Sequence, residues 1–297
     1  MRQTEISIFF HNFEIDYELR KLHVLHMKTQ FRILIISILA TASVLMSSGC
    51  ASAPGTEVTD EQINAEAEKA YAEIKAKSKL STNAEWNAMV QRVSKRIAAA
   101  SGENFKWEVM LIEDKQANAW CMPGGKMAVY TGILPVVKTE AALAAVMGHE
   151  VAHATQRHGK ESYTRAVKDQ YMGVLAGLGT AVAGQYLCNS DDCKKMVAMG
   201  GMAVGFGITY FSLKYSRGDE TEADKVGLRY MAQAGYEPTE AVKLWERMEA
   251  AGGGKGPEFL STHPSGQTRI GELNRQMSEA QVIYQNAPQK YGLGSGI

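Results

Sequence analysis

Between Glu140 and Gly159 the chain reads EAALAAVMGHEVAHATQRHG, and within it His149-Glu150-Val151-Ala152-His153 sets two imidazoles four positions apart. Residues four apart lie on one face of a helix, so both rings can reach a single ion, while Glu150 sits one step round, beside a water bound to that ion. The stretch is rich in Ala, opens after a capping residue, Thr139, and is closed by Gly159, so the spacing predicts a third helix of the chain over this segment. Two His that only satisfy hydrogen bonds on a helix surface are the alternative.

Two neutral imidazoles leave a tetrahedral zinc short of ligands, and catalysis needs a third protein ligand plus an open position for water. Downstream, Ser216-Arg217-Gly218-Asp219-Glu220-Thr221-Glu222-Ala223-Asp224 opens another helix, predicted from about Gly218 to Gly235. Glu220 and Asp224 share a face there, so Glu220 can ligate while Asp224 accepts from the outer N–H of a ligating His. Glu222 then points elsewhere. A solvated acidic helix start is the alternative, since acids are favoured at that end in any case.

Around these helices the pattern is α+β and mainly helical. Thr59-Asp60-Glu61-Gln62 forms a capping box for a helix to about Lys79. Thr82-Asn83-Ala84-Glu85 repeats the device, and Trp86, Met89, Val90, Val93 and Ile97 recur at helical spacing until Gly102. Residues 107–112 (WEVMLI) and 126–130 (KMAVY) read as strands of a small sheet, broken apart by Pro123-Gly124-Gly125. Further helices are expected from Thr239 to about Ala251 and after His263-Pro264. Residues 173–187 and 196–211 are apolar and rich in Gly and Ala; each arm is short for a membrane span, so a buried or flap-like pair is favoured over a membrane hairpin.

Three separated blocks, in order, resemble the M48 family of zinc metallopeptidases, in particular its exported lipoprotein members and its Oma1-like branch. They are Asn118-Ala119 with Pro123-Gly124-Gly125 and Thr131-Gly132, then His149 to His153, then Ser216-Arg217 with Glu220, Ala223 and Asp224; Thr262-His263-Pro264-Ser265 with Arg269-Ile270 is a shorter fourth. The resemblance implies a zincin-like fold at residues 59–297 and one Zn2+ per chain. His149, His153 and Glu220 would hold the ion, Asp224 would stand behind a ligand, and Glu150 would be the general base. Asn118, Ala119, Trp120, Cys121 and Met122 would form an edge strand to which an extended substrate adds. His263 would steady the oxyanion or act as a fourth ligand that shuts the site; a His packed at a Pro turn is its plain alternative.

Residues 33–46 (ILIISILATASVLM) form an apolar run of signal-peptide length, and reading from Met27 gives MKTQFRILII, a positively charged opening. Residues 1–49 are accordingly expected to be a signal peptide whose true start is Met27. Leu45-Met46-Ser47-Ser48-Gly49-Cys50-Ala51 resembles a bacterial lipoprotein signal, with Cys50 as the lipidated first residue and 50–58 as a tether. Ala51 after the Cys favours the outer membrane by the same resemblance, on its periplasmic side. A cut after Ala51-Ser52-Ala53 or an uncleaved anchor are the alternatives. In an oxidising compartment Cys188 and Cys193 are expected to pair across a polar turn, leaving Cys121 free; a pair of free thiols or a second metal site is the alternative.

The expected function is hydrolysis of misfolded or misassembled envelope proteins by a zinc endopeptidase that acts through a Glu150-activated zinc-bound water. A chaperone-like or assembly-factor lipoprotein with a latent or structural metal site is the competing function, and an integral-membrane peptidase is a third. With 32 Lys and Arg against 32 Asp and Glu, the chain lacks the basic excess that would neutralise phosphates, which argues against nucleic acid as a partner. Oligomeric state is not readable from the sequence.

Overall fold

The computed structural model describes residues 57–169, 215–251, 263, 267–293 and 296. The expected signal peptide, Cys50 and most of the tether, both apolar arms and the Cys188–Cys193 pair lie outside these.

The apolar runs of the strands follow from a sheet covered on both faces. Strands β1 (Glu108–Ile112), β2 (Ala119–Met122) and β3 (Lys126–Tyr130) lie in the order β1-β3-β2, with β1 parallel and β2 antiparallel to β3. Alternate residues face opposite ways along a strand. Val109, Leu111, Ala119, Cys121, Met127 and Val129 therefore enter the main core. Met110, Ile112, Trp120, Met122 and Ala128 enter a second cluster on the other face.

Helix α1 (Asp60–Lys77) covers that second face with Ala67 and Tyr71, and the Tyr71 ring meets Trp120 edge-on. Thr59 and Gln62 form the expected capping box. The other face is covered by α2 (Ala84–Ser101), through Met89, Val90, Val93 and Ile97. Its cap is Asn83 rather than Thr82, since Asn83 Oδ1 accepts from the Trp86 amide. Gly125, in the turn before β3, has φ +85, and a Cβ there would lie 2.6 Å from the Trp107 ring, so the turn requires glycine.

After a single turn, α3 (Leu134–Val137), comes α4 (Glu140–Thr155), which carries the two His. All of its residues but Ala145 are buried, which is how a helix at the centre of a protein reads. It stops before the expected Gly159. Arg157 takes φ +62, held by bonds from its side chain to Thr155 O at 3.1 Å and Asp60 Oδ2 at 2.9 Å, and Gly159 falls inside a further helical stretch, 158–169.

Across α4 packs α5 (Arg217–Gln233), which starts one residue before the expected Gly218 because Ser216 and Asp219 form a capping box. The two backbones touch where Gly148 meets Gly227: a Cβ on Gly148 would lie 2.7 Å from the Gly227 carbonyl oxygen. Helices α6 (Thr239–Ala251) and α7 (Gln267–Asn286) complete the core.

The start of α4 is fixed by charge. Glu140 is buried; Arg92 grips it through Nε and Nη2, the latter at 2.6 Å, Arg96 Nη1 lies 3.2 Å away, and Tyr236 donates its hydroxyl at 2.9 Å. Burial alone would raise the Glu140 carboxyl, but these bonds and the two guanidinium charges hold it below the ordinary 4.5. A carboxylate whose folded value is depressed stabilises above its unfolded value, and that contribution is lost as pH falls through the lower folded one. Glu140→Gln should therefore cost about 2 kcal/mol at pH 7. Urea unfolding of both forms should show the gap shrinking well below pH 4.5.

Candidate metal centre

Four buried donors converge between α4, α5 and residue 263. One ligand atom from each of His149, His153, Glu220 and His263 can be chosen so that all lie within 4.8 Å of one another. His149 Nε2 is 3.1 Å from His153 Nε2 and 3.2 Å from His263 Nδ1. The Glu220 carboxylate closes the group, with Oε1 3.0 Å from His263 Nδ1 and 3.4 Å from His153 Nε2. Both pairs arise from one geometric fact, that i and i+4 share a helix face: His149 and His153 on α4, Glu220 and Asp224 on α5.

The outer nitrogens fix which atoms face the centre. His149 Nδ1 lies 3.0 Å from Asp224 Oδ1, which can only accept, and 3.2 Å from Arg269 Nη2, which can only donate; the shorter contact, to a carboxylate, favours the proton on Nδ1 and the Nε2 lone pair turned inward. Asp224 is in turn held by Arg269, whose Nε and Nη2 donate to its two oxygens at 2.7 and 2.6 Å. The same guanidinium places Nη1 2.8 Å from Glu220 Oε2 and stacks 3.8 Å from the Trp245 ring centroid.

Glu150 is 2% exposed. Its Oε1 makes no hydrogen bond among the described residues, and His263 Nε2 stands 3.4 Å off. Burial raises the Glu150 carboxyl, opposed by His263, His149 and a bond from the Cys121 backbone. Burial also works against ionised Glu220, yet the imidazoles of His153 and His263 win and hold it far below the carboxylate range. His153 is pushed well down, chiefly by burial, and so stays neutral, the form that ligates.

The donor set fits a divalent cation. Inward-facing lone pairs of His149 and His153 repel unless something positive stands between them. Three buried carboxylates, Glu150, Glu220 and Asp224, face one buried guanidinium, Arg269. Unpaired buried charge costs several kcal/mol per ion, and a cation among these groups offsets it. Two or three imidazoles and a carboxylate suit zinc.

The expected site residues are thus placed together, with Glu150 beside the cluster and Asp224 behind His149. Among the described residues the strand of Ala119 to Met122 lies at one end of the sheet, and Asn118 precedes it. All four strand side chains are buried, so what the edge can offer a partner is its backbone. Four neighbours carried no expected role: His158, Tyr215, Trp245 and Arg269. Arg269 had a sequence signal in the Arg269-Ile270 block. The Tyr215 ring stacks on His153 at 3.9 Å, and no spacing rule relates residues so far apart in the chain.

A buried helix bearing H-E-x-x-H, crossed by a second helix that supplies a carboxylate beside a small sheet, defines a zincin-like metallopeptidase fold. The model of peptidase family M48 matches residues 81–277, and the chain belongs to that family. It is 43% identical over 198 residues to the mitochondrial metalloendopeptidase OMA1 of Schizosaccharomyces pombe, covering 65% of this chain and 53% of that protein. It is 37% identical over 194 residues to the OMA1 of Arabidopsis thaliana, covering 64% and 36%. It is 25% identical over 198 residues to the beta-barrel assembly-enhancing protease of Escherichia coli, covering 66% and 39%. The chain spans about half or less of the length of these relatives. Among the described residues no helix is long and apolar enough to cross a membrane.

With free zinc at about 100 times its Kd, the protein should gain about 2.7 kcal/mol of stability. Thermal unfolding with and without the ion measures it, and His149→Ala and Glu220→Ala should each abolish the gain.

Proposed function

We propose that the chain is a zinc-dependent endopeptidase of the bacterial cell envelope that cleaves misfolded or misassembled envelope proteins. The observation that carries this is the buried Glu150 carboxylate, one oxygen of which makes no hydrogen bond among the described residues, beside a His149, His153 and Glu220 donor set. A purely structural metal site has no use for such a group. Zinc, when bound there, polarises the scissile carbonyl and lowers the pKa of a coordinated water toward ~7.

The chain's own residues do the rest. Glu150 takes the proton of the attacking water and passes it to the leaving amine, its basicity raised by burial. An extended substrate adds alongside β2, and the bond from the Cys121 backbone to Glu150 ties that strand to the general base. His263, with Nε2 3.4 Å from Glu150 Oε1 and Nδ1 in the donor cluster, either closes the centre as a fourth ligand or, turned away, donates to the oxyanion.

For the address, the lipoprotein-like sequence at Cys50 supports a lipid tether on the periplasmic side of the outer membrane. The Escherichia coli relative, named for beta-barrel assembly, supports an envelope substrate.

Glu150→Gln should keep zinc and the fold while lowering cleavage of an unfolded protein such as casein by about 10²- to 10⁴-fold. Zinc content and cleavage measured on the same preparation decide it, and undiminished cleavage overturns the mechanism. Mass spectrometry of the mature N-terminal peptide should find a diacylglycerol-modified Cys50, and an unmodified start elsewhere overturns the tether.

A further inference from the structure

The two helix-borne ligands are backed differently. Behind His149 stands a carboxylate, Asp224. Behind His153 stands another imidazole: His158 is 3% exposed, and its Nδ1 lies 3.0 Å from His153 Nδ1. On its far side His158 Nε2 lies 3.4 Å from Glu222 Oε2, on a side chain that is 55% exposed. Glu222, expected to point away from the site, thus reaches it at one remove.

The protons can be assigned. His153 turns Nε2 toward His149 and Glu220, so its own proton belongs on Nδ1. Two nitrogens 3.0 Å apart share one proton, so His158 Nδ1 must accept, and the His158 proton sits on Nε2, toward Glu222. The opposite tautomer of His158 would set two N–H groups head to head. A three-membered chain of His153, His158 and Glu222 therefore runs from the donor cluster to the surface, and each link fixes the ring before it.

Backbone geometry holds His158 in place. Five positions separate it from His153, so on one unbroken helix it would have rotated off the face. The break after Thr155, with Arg157 at φ +62, lets the chain turn back so that His158, the first residue of the next helical stretch, tucks behind His153. The Tyr215 ring, stacked 3.9 Å from His153 and inclined by 21°, confines the ligand from its face.

We propose that His158 is a positioning residue for the metal centre, which sets the tautomer and ring angle of His153 by accepting its Nδ1 proton. The proposal rests on the zinc site described above. Such outer partners commonly cost 10- to 100-fold in metal affinity when removed.

The test is the zinc Kd of the full chain, measured by competition with a chromophoric chelator, alongside the melting temperature without zinc. His158→Phe fills the space without an acceptor and should bind zinc about 10- to 100-fold more weakly. His158→Asn can place an acceptor oxygen where Nδ1 was and should recover most of that loss. His158→Gln, whose acceptor reaches instead to the Nε2 position, should stay weak and keeps the comparison polar if the Phe form folds poorly. Wild-type affinity in the Phe or Gln form overturns the proposal. So does an Asn form as weak as the Gln form at equal melting temperature, since the position would then matter only for packing. A wild-type chain that takes up no zinc removes the metal site itself, whereas tight binding by wild type and Gln form alike removes only the role of His158.

Discussion

Arg269 is the charge about which the interior is arranged. It comes from α7, yet it grips Asp224 on α5 with two bonds, approaches Glu220 one turn earlier and sits over the Trp245 ring of α6. A guanidinium can do this because its donors are fixed in one plane, whose faces remain free to stack. Without it, Asp224 would be a buried carboxylate whose described partner is the His149 imidazole. The orientation of His149 depends on Asp224 being charged, so the C-terminal helix reaches the centre through one side chain.

The site helix is fixed by contacts that do not involve the donor cluster. At its start Glu140 is clamped by Arg92, Arg96 and Tyr236; along its length nearly every side chain is buried; at its end Arg157 turns the chain sharply. His149 and His153 are thus carried on a rod with little freedom to slide or rotate. The two residues that face them, Glu220 and Asp224, sit in the first turns of α5, where the Ser216 and Asp219 capping box fixes the helix start. Little ordering remains for the ion to impose, which favours both affinity and a defined geometry.

Much of this was legible in the sequence because the signals were periodic. The i, i+4 pairs and the capping box at Thr59 came from spacing, the strands at 107–112 and 126–130 came from residue type, and these elements lie within a residue or two of where those signals put them. What was not legible came from tertiary contact. Gly159 looked like a helix stop, but the stop was made earlier by Arg157, whose left-handed backbone is held by Asp60 from nearly a hundred residues away. His158 lay beyond that break, so no helical wheel could bring it behind His153. Trp245 and Tyr215 contribute ring faces, and a ring face leaves no mark on the local pattern.

The touching glycines lengthen the signature by which such a site can be found. Gly148 directly precedes His149, and Gly227 follows Asp224 by three, so the close crossing is written into both motifs at fixed offsets. A chain with H-E-x-x-H and a later E-x-x-x-D can assemble this centre only if the helices that carry them come this near. Gly-His-Glu-x-x-His paired with Glu-x-x-x-Asp-x-x-Gly is therefore a stricter filter for screening unfamiliar sequences than the ligands alone. It discards chance matches on steric grounds, before any chemistry is considered.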